Sequence, residues 1–124
     1  MGAFVYNDSN DPITGTRQAE LRIQWLNSNQ QVLNQVIEVV ADANTPTDQW
    51  IFVSLENVMI PDNANIAEVR AALFVTNGGG TGGGPVFFDD VTFVQGPTAE
   101  ISQTGFTINF PWEIRVDTFN WIAE

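Results

Sequence analysis

Asp89 and Asp90 stand side by side inside the apolar run Pro85-Val86-Phe87-Phe88-Asp89-Asp90-Val91-Thr92-Phe93. Paired carboxylates can serve as the acid and base of a glycosidase. Adjacent residues of a strand, however, point to opposite faces of a sheet, so the two acids do not converge on one substrate. A second oxygen-rich stretch, Asn7-Asp8-Ser9-Asn10-Asp11, has the donor types that wrap a hard cation. It lacks the Gly and terminal Glu of an EF-hand loop. Its plainer reading is a turn whose Asx side chains accept nearby backbone N–H groups, with Pro12 fixing φ.

The aromatic residues carry a different chemistry. Sugars present flat C–H faces that stack on exposed rings, while amides and Arg read the hydroxyls. In the alternating run Glu68 to Thr76, Arg70 and Phe74 fall on the face opposite Val69, Ala71, Leu73 and Val75. Arg22 and Gln24 fall opposite Leu21, Ile23 and Trp25 in the same way. If these outer faces form a groove, Arg22, Gln24, Arg70 and Phe74 line it. The plainer alternative is ordinary surface or a second packed layer. Trp25 and Trp50 sit in core register. Trp112 and Trp121 are further glycan platforms, or else filler or subunit contacts for added strands.

Composition removes whole classes of function. The 124 residues include four cationic side chains, all Arg, against fifteen acidic ones, giving a net charge of -11. Nucleic acid and anionic membranes need clustered cations that this chain lacks. With no His and no Cys, Ser-His-Asp triads, thiol nucleophiles, Cys/His zinc sites and disulfides are excluded. The expectation is a non-enzymatic domain with neutral or cationic partners. No stretch reaches the roughly eighteen consecutive apolar residues of a membrane span. The first residues lack a basic region and read as a strand rather than a signal peptide, so the chain reads as starting within a longer protein.

The elements that position these residues follow a period of two. Ala19-Glu20-Leu21-Arg22-Ile23-Gln24-Trp25 alternates strictly, and Gln31 to Val40 is rich in β-branched residues. Trp50 to Leu55, Glu68 to Thr76 and Pro85 to Val94 read as further strands. Asn27 to Gln30 is a turn. Asn77 to Gly84, with six Gly, reads as a flexible loop. In the tail, Phe106, Ile108 and Phe110 alternate before Pro111, and Trp112, Ile114 and Val116 after it. About eight short strands with turns every ~8 to 12 residues predict an all-β, antiparallel two-sheet sandwich or barrel.

Three stretches together resemble a known family. They are Tyr6 to Gly15 leading into Ala19 to Trp25; Thr47-Asp48-Gln49-Trp50-Ile51 with Ile60-Pro61 and Val69 to Leu73; and Gly84 to Phe93 with its Asp-Asp-Val. In that order they are similar to the later part of a jelly-roll carbohydrate-binding module with the galactose-binding-like fold. The resemblance covers residues 3–94 and implies a jelly-roll sandwich, a glycan partner and a secreted, extracellular setting. It also implies a structural Ca²⁺ at Asp90, with Asp89 as a candidate beside it. The alternative for the pair is one Asp at a bulge accepting backbone N–H bonds and the other in water. The chain divides into a truncated module over 1–96 and a strand extension over 97–124 that completes or extends the same domain. Strands that precede Ala3 in such modules are absent here, so a second expectation stands beside the first. In it the chain is a structural subunit that assembles with copies of itself through open sheet edges.

Overall fold

The computed structural model describes residues 1–94 in full, and the backbone of two later strands at 113–114 and 118–123. Phe106, Ile108, Phe110, Trp112 and Val116, which the sequence places on tail strands, lie outside the described residues.

No helix occurs among the described residues, and the architecture is all-β and sandwich-like. In chain order the strands are β1 (Gly2–Tyr6), β2 (Thr14–Gly15), β3 (Gln18–Leu26), β4 (Val32–Ala41), β5 (Trp50–Ser54), β6 (Glu68–Thr76), β7 (Gly82–Gly83), β8 (Val86–Thr92), β9 (Glu113–Ile114) and β10 (Thr118–Ala123). One sheet runs β10-β8-β1-β5 and a second runs β4-β3-β6-β9, while β2 and β7 form a small ribbon. All pairings are antiparallel except the short one between β6 and β9.

The period-two reading fixes the core. Ala19, Leu21, Ile23 and Trp25 of β3 and Val69 of β6 are buried in one cluster with Ala3 and Val5 of β1 and Val86, Phe88 and Val91 of β8. β1 and β3 turn alternate residues inward, and on β8 a bulge between Phe88 and Val91 keeps Val86, Phe88 and Val91 on the inner face, so the two inner faces bury their apolar area against each other. At ~25 cal/mol per Å² this burial is the dominant stabilising contribution.

The glycine-rich segment is ordered, which corrects the expectation of a flexible loop. It folds back on residues 12–17, with Gly83 opposite Thr14 and Gly82 opposite Gly15. Arg17 fastens it: Nε donates to Asn77 Oδ1 at 3.0 Å and Nη1 to the Gly84 carbonyl at 3.0 Å. A Cβ on Gly84, whose φ is +92°, would overlap the Pro12 carbonyl oxygen, and one on Gly82 would overlap that of Thr14. Glycine is therefore needed here for close backbone approach. Run-length composition suggests mobility, whereas the close partners of these glycines impose order.

The tail strand β10 lies antiparallel on β8, with Trp121 at the register position of Phe88. It adds a strand to the sheet of β1, β5 and β8.

Candidate functional site

The outward face of the β10-β8-β1-β5 sheet carries a strip of aromatic rings. Residues facing each other across an antiparallel ladder share a face, and the register pairs Phe4 with Phe52 and Tyr6 with both Trp50 and Phe87. The ring centres of Tyr6 and Trp50 are 5.1 Å apart, those of Phe4 and Phe52 5.4 Å, and those of Tyr6 and Phe87 6.2 Å. Edge and tilted contacts at these distances hold each ring in place. The strip is nonetheless open, with Trp50 49% and Phe52 59% exposed.

Polar groups gather at the Trp50 end. Asp48 Oδ1 accepts the Ser9 backbone N–H at 3.0 Å and the Tyr6 hydroxyl at 3.4 Å. Hydrogen bonds from Ser9 foremost, and then from Tyr6, hold the Asp48 carboxyl below its ordinary pKa. Desolvation, followed by the nearby charge of Asp48, raises the Tyr6 hydroxyl, which therefore stays protonated and able to donate. Asn7 braces the loops behind them. It is fully buried, its Nδ2 donates to the Thr45 carbonyl and its Oδ1 accepts the Ile13 N–H, both at 2.9 Å. Asp8 Oδ1 accepts the Asn10 N–H, the Asx geometry of a turn.

The sequence places Trp50 in core register, and the structure places it outside. Ile51 and Val53 face inward instead. The run Trp50-Ile51-Phe52-Val53 is apolar throughout, so alternation carries no information about which residues face the core. The same ambiguity hid Phe4 and Tyr6, which flank the small core residues Ala3 and Val5. Trp25 is buried as read.

Arg22, Gln24, Arg70 and Phe74 do share one face, that of the other sheet, where Gln24 is paired with Arg70 and Glu20 with Phe74. Their polar groups are engaged by neighbouring side chains. Arg22 Nη2 bonds Glu20 Oε1 at 2.7 Å, Gln24 donates to Gln35 at 3.1 Å, and Arg70 meets Glu68 at 3.4 Å. Glu20 and Gln24 are themselves buried. This face is a braced layer more than a set of free hydrogen-bonding groups. Of the tail candidates, Trp121 is on β10, whose backbone alone is described, and Trp112 lies outside the described residues.

Asp89 and Asp90 occupy a β-bulge. Between Gly2 and Phe4 the β1 register advances two residues while β8 advances three, from Thr92 to Asp89. Asp90 takes the left-handed φ of +48°, and its N–H donates to Asp89 Oδ1 at 2.8 Å. Calcium needs about six to eight oxygen ligands. Among the described residues no three acidic side chains gather as a cation site.

Compared with known proteins, the chain matches no protein-family model, no curated protein and no solved structure.

Proposed function

We propose that the chain is a non-catalytic carbohydrate-binding domain of jelly-roll type, acting outside the cell, that holds a glycan on the aromatic strip of β1, β5 and β8. The observation that carries this reading is the open Tyr6–Trp50 ring pair with Asp48 bonded to the Tyr6 hydroxyl at its edge. Pyranose C–H faces stack on such rings. Sugar hydroxyls then meet the acceptor oxygens of Asp48 and the hydroxyl of Tyr6. The net charge of -11 repels uronate and sulfated chains, so the ligand is a neutral glycan. The resemblance to carbohydrate-binding modules points the same way.

Affinity electrophoresis against neutral β-glucans, xylans, mannans and galactans tests this. At least one of them should retard the protein, and Trp50→Ala should abolish the retardation with unchanged melting temperature. Arg70→Ala, on the other sheet, should bind like the native chain. If no neutral polysaccharide retards the protein, or if Trp50→Ala binds as well as native, the reading is wrong.

A further inference from the structure

Asn77 is followed by Gly78, the single Asn-Gly step in the sequence. An asparagine at such a step can be attacked by its own backbone. The Gly78 nitrogen gives up its proton and bonds to the Asn77 side-chain carbonyl carbon. The bond from that carbon to Nδ2 breaks, and ammonia leaves. The resulting succinimide ring takes up one water and opens to Asp or to isoaspartate. Glycine favours the closure because it carries no side chain to crowd the ring.

The fold engages both reacting groups. The Asn77 amide oxygen accepts Arg17 Nε at 3.0 Å, and the same guanidinium donates through Nη1 to the Gly84 carbonyl at 3.0 Å. Tied to both ends of the glycine segment, Arg17 is not free to follow the Asn77 side chain as it turns toward its own backbone. The attacking group is held as well, since the Gly78 N–H donates to Thr76 Oγ1 at 3.1 Å. The Asn77 backbone carbonyl accepts the Thr16 hydroxyl and the Gly80 N–H, which fixes the chain where the ring would form.

We infer that Asn77 is the deamidation site of this chain and that Arg17 restrains the reaction in the folded state. Closing the ring requires the Arg17–Asn77 bond to break, and a bond from a charged donor is stronger than a neutral one. Keeping such a bond in the ground state slows the step about tenfold. The inference does not rest on glycan binding.

The experiment ages the whole chain in mildly alkaline buffer at 37 °C and follows the tryptic peptide that begins at Ala71 by tandem mass spectrometry. Native chain unfolded in guanidinium chloride should deamidate at Asn77 before any other Asn, about tenfold faster than the folded native chain. Arg17→Met keeps the length of the side chain and removes its donors. Folded by circular dichroism, it should deamidate at Asn77 close to the unfolded rate. If another Asn reacts first in the unfolded chain, or if folded and unfolded native chains react at Asn77 equally fast, the inference is overturned without recourse to any variant. A folded Arg17→Met chain that reacts as slowly as native overturns the role of Arg17.

Discussion

The Arg22 guanidinium lies over the Phe74 ring, its central carbon 3.8 Å from the ring centre. Glu20, two residues along β3, holds the same guanidinium at 2.7 Å and is only 3% exposed. The three side chains form one unit, in which a planar cation is shared between a ring face and a carboxylate. Its balance is uneven, because Arg22 Nε is buried with no hydrogen-bond partner among the described residues.

Removing Arg22 alone should therefore be expensive. Arg22→Ala leaves Glu20 buried and unpaired, and urea unfolding should show a loss of about 3 kcal/mol. The double variant Glu20→Gln, Arg22→Met keeps volume and removes both charges. It should recover most of that loss, since replacing a buried pair with neutral groups is often close to neutral. Equal destabilisation in the single and double variants would show that packing on Phe74, and not the ion pair, sets the cost.

The glycine segment should respond by position and not by residue type. Gly84→Ala meets the Pro12 carbonyl and should lose about 3 kcal/mol. Gly79 also has a positive φ, +84°, but nothing lies within 4 Å of the added Cβ. Gly79→Ala should therefore lose only about 1 kcal/mol, the conformational cost alone. Thermal melts of the two variants side by side check this, and similar losses would contradict the packed arrangement.

Asp48 gives a pH signature. Its folded pKa lies below the ordinary 3.8 because Ser9 and Tyr6 donate to the charged form. A depressed carboxylate contributes stability that is fully present above the unfolded pKa and is lost as pH falls through the folded value. The stability difference between the native chain and Asp48→Asn should thus be flat from neutral pH to about pH 5 and shift against the native chain in more acid solution. The group is exposed, so the shift is small. Urea titrations at a series of pH values measure it, and a difference independent of pH down to the acid limit would contradict the hydrogen-bonding arrangement.

Strand positions were legible in the sequence wherever one face is buried and the other polar. β3 alternates cleanly, so the inward set Leu21, Ile23 and Trp25 follows from period two alone. The shared face of Arg22, Gln24, Arg70 and Phe74 follows from the same parity together with the β3–β6 register. The Asx turn at Asp8 was also readable, because its side chain accepts the backbone N–H of Asn10 two residues on, whereas the bond of Asn7 to the distant Thr45 carbonyl was not.

Tertiary structure alone decided the rest. In β1 and β5 both faces are apolar, so parity could not say whether Trp50 or Ile51 faces the core; that depends on which side the second sheet lies. The strip of Phe4, Trp50 and Phe52, exposed, with half-buried Tyr6 and Phe87, joins three strands far apart in the chain, and only their pairing brings the rings together. The glycine segment is fixed by the carbonyls of residues 12 and 14, some seventy positions earlier. Local composition specifies what each segment can do. Contacts between distant segments specify which of those options is taken, because burial and close approach depend on partners that local composition does not reveal.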